Sequence, residues 1–119
     1  MVCNNCPHFH KVTKLTYTAG TSLVIESTNS TNISSLEPYC FVLPCSVNPK
    51  TVVTGAPVQC YMTINGTNYQ VYNKYSLPMY SNELTRRKLY KGWFVVDPDD
   101  STNAWIHLKD FPDNRCCKK

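Results

Sequence analysis

The stretch that decides the fold is residues 58–75, which read VQCYMTINGTNYQVYNKY. At its centre, Asn65-Gly66 is a dipeptide that tolerates the positive φ angles of a tight two-residue hairpin turn. The flanking arms, 58–64 and 69–75, are lined by apolar or aromatic residues, namely Tyr61, Ile64, Tyr69, Val71 and Tyr72. The sequence therefore predicts a β-hairpin in the middle of the chain.

Strand-like segments continue on both sides of this hairpin. They are short, rich in β-branched, aromatic and aliphatic residues, and cover residues 12–18, 22–27, 39–43, 93–96 and 104–108. The last two are expected to pair across the loop 97–103, whose Asp, Pro and Asn residues favour turns. Polar or turn-rich connections are expected at 27–38 and 49–57.

The only convincing helix signal covers residues 81–91. Ser81 or Asn82 suits the N-cap, Glu83 suits the positive end of the helix dipole, and Gly92 suits the C-terminus. Together with the strands, this helix predicts an α+β fold: an antiparallel β-sheet with one or a few short helices. The length of 119 residues fits a single domain over 1–119.

The seven cysteines predict a fold stapled by disulfides. They are Cys3, Cys6, Cys40, Cys45, Cys60, Cys116 and Cys117. An odd number leaves one unpaired, and the connectivity of the rest stays open. We expect bridges between the two chain ends and one bridge within the central trio. A bridge that closes a loop of about 100 residues contributes about 4.7 kcal/mol in the chain-entropy model.

Disulfides belong to the secretory route, so the predicted location is extracellular. Sequons for N-glycosylation at Asn29, Asn32 and Asn65 are compatible with a secreted glycoprotein. Since no apolar leader follows Met1, we expect the chain to be a mature form that carries an added initiator methionine. No stretch approaches the roughly 20 apolar residues of a membrane-spanning helix.

Three groups of residues could carry chemistry other than binding to a partner. Cys3, Cys6, His8 and His10 are zinc-ligand types, but four ligands within eight residues make a cramped site, even if the C-terminal cysteines replace the histidines. The acidic run 97–100 lacks the Gly and Glu that a calcium loop needs. His107 has no nucleophile or base at a recognisable spacing. The sequence therefore predicts a protein that is not an enzyme and holds neither a metal nor a cofactor.

Charge is segregated near the C-terminal third of the chain. Residues 81–94 carry four basic side chains against one acidic, a net +3, whereas residues 95–114 carry five aspartates against one lysine, a net −4. On the predicted helix, the candidate binding residues are Arg86, Arg87, Lys88, Tyr90 and Lys91, with the acidic loop beside them. The aspartates and the lack of a readable motif argue against nucleic-acid binding.

The cysteines at both ends, the strand-rich pattern, the single helix and the absence of a catalytic signature resemble a secreted effector of a plant-pathogenic fungus. In size and layout the chain is similar to the LARS group of Leptosphaeria avirulence proteins, which are antiparallel α+β domains held by several disulfides. The resemblance is architectural and spans the whole chain, and no functional residue transfers. It implies a virulence factor that binds host components and is detected by plant resistance receptors.

The sequence thus predicts a secreted, monomeric, non-enzymatic effector whose partner is a host protein. One alternative is an immunomodulator secreted by an animal parasite or a virus. Another is an intracellular binding module stapled by zinc, and a third is a small secreted hydrolase or ribonuclease that uses His107.

Overall fold

A computed structural model of the chain describes residues 9–27 and 35–109. The strands of this part are β1 (Phe9–Thr18), β2 (Ser22–Ser27), β3 (Glu37–Val42), β4 (Gln59–Ile64), β5 (Thr67–Tyr72), β6 (Leu89–Asp97) and β7 (Asp100–Leu108). Its helices are α1 (Pro49–Val52) and one 3₁₀ helix (Ser81–Glu83). The strands predicted at 12–18, 22–27 and 39–43 are confirmed as β1, β2 and, within one residue at its end, β3.

The seven strands close into a barrel in the order β1-β2-β4-β5-β7-β6-β3, with β3 returning to β1. The pairs β1–β2, β4–β5, β6–β7 and β3–β6 are antiparallel. The pairs β1–β3, β2–β4 and β5–β7 are parallel, and each joins strands that are separated by one strand in the sequence.

The predicted central hairpin is confirmed as β4–β5. Asn65 and Gly66 form its turn with φ angles of 48° and 84°, the left-handed conformations that this dipeptide tolerates. Beside the turn, the Thr63 hydroxyl donates to the Asn68 side-chain oxygen at 2.6 Å. The pairing predicted between 93–96 and 104–108 is also confirmed, although β6 and β7 are longer and the turn between them is tighter.

The predicted α+β class with an antiparallel sheet is wrong, because the described residues form a closed, mostly β barrel with mixed strand directions. Hydrophobic alternation shows that a segment is a strand, but it does not specify the neighbour with which the strand pairs. Closure pairs both edges of every strand, which removes the exposed edges that an open sheet would leave.

The helix predicted at 81–91 is also wrong. Only Ser81–Glu83 is helical, Arg87 has a φ of 68°, and β6 begins at Leu89. From there, alternate residues are buried in the barrel, beginning with Tyr90, Gly92 and Phe94. Burial of this alternating face outweighs the modest helix propensity of the Arg-Arg-Lys-Leu run. Within the described ranges, the one α-helical turn lies instead at Pro49–Val52, capped by Asn48, where the sequence predicts only a turn.

The core fills the barrel interior and is contributed by every strand. Its fully buried large side chains are Tyr39, Phe41, Leu23, Ile25, Leu43, Met62, Ile64, Ile106, Val12 and Val71. On β1, a register shift between Val12 and Lys14 gives one extra residue. This bulge explains why Val12 and Leu15, three residues apart, are both buried.

The central cysteines do not pair as predicted. Cys45 is an exposed free thiol and Cys60 is a buried one. The bridge expected within the central trio is therefore not formed, and two of the three described cysteines are unpaired. Cys40 is disulfide-bonded, and no disulfide joins two of the described cysteines. The predictions for Cys3, Cys6, Cys116, Cys117 and His8 and for the sequons at Asn29 and Asn32 lie outside the described residues.

Candidate functional site

A groove opens at the end of the barrel where β6 begins and β7 ends. One wall is the loop that follows β5, residues 73–75, and the other is formed by Lys88–Lys91. The floor includes Met79 and Leu108. The groove encloses about 200 Å³ and continues past Trp93 and His107 into a second, shallower space of about 460 Å³.

Four lysines line this groove, and we call it the lysine groove. Lys74 comes from the loop after β5, Lys88 and Lys91 from the start of β6, and Lys109 from the end of β7. The only carboxylate in the described lining is Glu83, so the lining carries a net charge of four minus one, or +3. Because the charges in the described lining are mostly positive, this convergence favours the binding of an anion.

Aromatic rings hold three of these ammonium groups in place. The Nζ atoms lie 5.1 Å from the ring centroid of Tyr75 for Lys74, 5.2 Å from that of Tyr90 for Lys88, and 5.0 Å from that of Trp93 for Lys109. At exposed sites such cation–π contacts are worth about 0.5–1 kcal/mol each. The three lysines are therefore partly ordered before a ligand arrives.

The loop after β5 owes its shape to Asn73. Its side-chain oxygen accepts hydrogen bonds from the backbone N–H of Tyr75 at 2.9 Å and of Leu77 at 3.2 Å. Its own N–H donates to the carbonyl of Leu77 at 2.8 Å. Closing the loop in this way leaves Tyr75 70% exposed at the rim of the lysine groove, an unusual position for a large aromatic side chain.

Glu83 connects the 3₁₀ helix to the loop after β5 through hydrogen bonds. Its carboxylate accepts from the backbone N–H of Tyr80 at 2.9 Å and from the side-chain amide of Asn73 at 3.2 Å. Both carboxylate oxygens are engaged, so Glu83 has a structural role in addition to offsetting part of the lysine charge.

Tyr90 supports the groove from below. Its ring is only 6% exposed and stacks on Phe41 with a centroid distance of 5.1 Å. Its hydroxyl accepts from the N–H of Thr85 at 2.8 Å and donates to the carbonyl of Glu83 at 3.3 Å. Burial raises the pKa of Tyr90, while the hydrogen bond from Thr85 opposes that rise.

The structure brings together only part of the predicted binding surface. Lys88 and Lys91 line the lysine groove, and Tyr90 reaches it from the core. Arg86 and Arg87 are exposed but do not line it. The Arg86 guanidinium lies 3.4 Å from the Cys45 carbonyl, and the backbone N–H of Arg87 bonds to the carbonyl of Leu43.

The acidic turn, Asp97–Asp100, lies at the opposite end of β6 rather than beside the basic residues. Leu89 at the start of β6 and Asp97 at its end are eight steps apart, about 26 Å of extended strand at about 3.3 Å per step. Sequence reasoning also missed Lys74, Tyr75 and Lys109. Their charge and aromaticity were visible, but only closure of the barrel brings their segments next to β6.

The remaining candidate sites are placed as follows. In the described ranges, 9–27 and 35–109, no three His, Cys, Asp or Glu side chains lie close enough to hold a metal ion. His107 lies on the outer face of β7, paired across the sheet with Trp93 and Tyr72. Asn65 is exposed at the tip of the β4–β5 hairpin. None of the helices in these ranges is long and apolar enough to span a membrane.

Comparison with known proteins finds no match to a family model, to a curated protein or to a solved structure.

Proposed function

We propose that this protein is a secreted, non-enzymatic binding protein, and that its lysine groove binds an acidic segment of a partner protein. The observation that carries the proposal is the convergence of four lysines from three separate parts of the chain on one groove. Partner binding of this kind is also what the resemblance to pathogen effectors implies, with a host protein as the partner.

A peptide segment fits the groove better than a small anion does. The lining combines ammonium groups with rings of Tyr75 and Trp93, and the groove continues along the sheet toward His107. In the segment that follows the loop 73–75, Leu77 is 58% exposed and Tyr80 is 41% exposed. An acidic segment that carries apolar residues would meet both the charged and the apolar parts of this surface.

The affinity contributed by the groove should depend on salt. The lysines are at the surface, where charge interactions are screened over about 8 Å at physiological ionic strength. Electrostatic attraction of this kind mainly accelerates association and selects against basic partners.

The proposal is tested with a fluorescein-labelled hexaglutamate peptide as the probe and the full chain as the receptor. The variant Lys88→Glu/Lys109→Glu reverses two exposed groove lysines and should weaken binding by about tenfold or more. A labelled hexalysine peptide should not bind the unaltered protein.

Two control variants make the same change in net charge, from +4 to 0, at other places. Lys14→Glu/Lys50→Glu alters exposed lysines outside the groove. Arg86→Glu/Arg87→Glu alters two exposed arginines that the sequence predicts as binding residues but that do not line the groove. Both should retain affinity within about threefold, because a surface charge outside contact distance acts only through a screened field. Equal losses in all three variants would show that net charge, not the groove, attracts the probe.

A further inference from the structure

A second cleft lies on the outer face of the barrel, along β5 and β7. Parallel pairing places Gln70 beside Trp105 and Tyr72 beside His107. The Tyr72 and Trp105 rings meet edge to face, with centroids 6.2 Å apart and an interplanar angle of 64°. Both rings are half-buried on the outer face, while Val71 and Ile106 point into the core.

The cleft has polar groups around these rings and encloses about 440 Å³. Ser76, Asp97 and Asn103 complete its edge, and we call it the aromatic cleft. Among the described residues that line it, one carboxylate is present and no lysine or arginine is. Its charge is therefore the reverse of that of the lysine groove, although the two sites adjoin at His107.

The amide of Gln70 is held in a fixed position for hydrogen bonding. Its NH₂ group donates to the side-chain oxygen of Gln59 at 2.7 Å, which leaves its carbonyl oxygen and a second proton for a ligand. At the other edge, the Asn103 amide lies 3.5 Å from the Asp97 carboxylate. Hydrogen-bond donors and acceptors thus share the lining with the two aromatic rings.

These features select one class of ligand. A purely apolar ligand would bury the amides of Gln70 and Asn103 without partners, which is costly. An anionic ligand would face the Asp97 carboxylate without a compensating cation in the described lining. A sugar ring has an apolar C–H face that stacks on an aromatic ring, and a rim of hydroxyls that both donate and accept hydrogen bonds. The volume is in the range of ligand clefts.

We propose that the aromatic cleft binds a neutral oligosaccharide, with Trp105 and Tyr72 stacking on a sugar ring and Gln70, Asn103 and Asp97 bonding its hydroxyls. The proposal is independent of the function proposed for the lysine groove, because it rests on different residues and on a ligand without charge.

The experiment uses three neutral probes, cellohexaose, chitohexaose and laminarihexaose, titrated into the 119-residue chain. The chain has two tryptophans, so Trp93→Phe leaves Trp105 as the only indole reporter. Stacking of a sugar on Trp105 should shift its emission saturably with at least one probe, at a dissociation constant of about 1 mM or tighter. The absence of a saturable shift with all three probes at about ten times that concentration would overturn the proposal.

Further variants assign the binding to the cleft. Binding followed by calorimetry should weaken about tenfold or more in Trp105→Ala and about threefold in Trp105→Phe and in Gln70→Ala. Gln70→Ala removes a half-buried side chain at the surface and keeps the proposal testable if Trp105→Ala fails to fold. Lys88→Glu/Lys109→Glu should bind the sugar normally. Unchanged affinity in both Gln70→Ala and Trp105→Phe would overturn the proposal.

Discussion

The two ends of the β6–β7 ribbon differ in the sign of their charge and in how the charged side chains are used. At one end, the lysine groove collects ammonium groups from three chain segments around a cavity. At the other end, the acidic turn uses its carboxylates locally. Asp97 accepts from the N–H of Asp99 at 2.8 Å, and Asp100 accepts from the N–H of Thr102 at 3.0 Å and from its hydroxyl at 2.6 Å.

The comparison separates two uses of charge. The aspartates satisfy the backbone of a tight turn, which is a common task for Asp in turns and requires no partner molecule. Asp97 does this with one carboxylate oxygen, and its other oxygen lies near Asn103 at the edge of the aromatic cleft. The lysines come from three separate segments and line one cavity. Charge density alone therefore does not identify a binding site, whereas convergence from distant segments onto a cavity supports one.

The largest expected loss of stability comes from disrupting the close packing of β6 against β7, the ribbon that connects the two ends. A side chain at Gly92 would run into the backbone carbonyl of His107 on β7. We expect Gly92→Ala to lower the free energy of unfolding by about 3 kcal/mol, because backbone must move to make room. Urea denaturation measures the loss.

Gly20→Ala is the matched control, since a Cβ there meets nothing within 4 Å and only its φ of 72° is strained. It should cost about 1 kcal/mol. If Gly92→Ala costs no more than this control, then β6 and β7 are not packed as closely as the structure has them.

The next effect concerns the core at the groove end, where Cys60 is buried. Burial, with a smaller contribution from the Glu83 carboxylate, raises the pKa of Cys60 from 9.0 to about 12. The folded state therefore holds this proton more tightly than the unfolded state. Its contribution to stability is complete below pH 9 and is lost between pH 9 and 12, at about 1.4 kcal/mol per pH unit.

Urea denaturation at pH 8, 9, 10 and 11 should show that the free energy of unfolding falls as the pH rises above 9. In Cys60→Ala this fall with pH should be smaller. Native thiol labelling gives a second readout, because the thiolate is the reactive form. Exposed Cys45 should react with iodoacetamide well before buried Cys60 does. An equal slope with pH in both proteins would contradict the raised pKa.

A smaller effect is expected at Tyr90, which packs in the core and also lines the lysine groove. Tyr90→Phe keeps the stacked ring but removes the hydroxyl that bonds to Thr85 and Glu83. We expect a loss of about 1 kcal/mol in stability. Hexaglutamate affinity should fall about threefold, because the segment before β6 is held less firmly. Tyr61→Phe, whose hydroxyl has only a 3.5 Å contact with Gln59, should leave both quantities nearly unchanged.

The smallest effect is expected at the acidic turn. Hydrogen bonds from Thr102 lower the pKa of Asp100, so its contribution to stability is present above the normal carboxyl pKa and is lost as the pH falls through the lowered value. Asp100→Asn should therefore weaken stability slightly at pH 7 and leave hexaglutamate affinity unaltered. A marked rise in affinity would mean that the acidic turn repels the probe across the ribbon.

Local patterns in the sequence were sufficient for the hairpins and for most strands. Asn65-Gly66 fixed the β4–β5 turn because so few dipeptides tolerate its φ angles. The helix predicted at 81–91 was wrong in its length. The helix-starting residues Ser81 and Glu83 do begin a helix, but it is one 3₁₀ turn that ends at Glu83. From Leu89 onward the chain forms strand β6, because its alternate residues are buried in the barrel. Local sequence patterns do not show which segments the barrel will bury.

The candidate site was predictable only in part, for the same reason. Lys88 and Lys91 stood out as a basic run, whereas Lys74 and Lys109 were isolated lysines in the sequence. Parallel pairing of β5 with β7 and antiparallel pairing of β7 with β6 bring them together. These pairings join residues that are distant in sequence, so the groove follows from topology rather than from any motif.

The most direct test of the lysine groove is a map of backbone amide chemical shifts, recorded by NMR while hexaglutamate peptide is added to the labelled protein. We predict saturable changes clustered at residues 73–75, 88–91 and 108–109. Residues 97–102 should remain unaffected. Changes centred instead on 86–87, or spread evenly over the exposed lysines, would contradict a binding site built by convergence of these three segments.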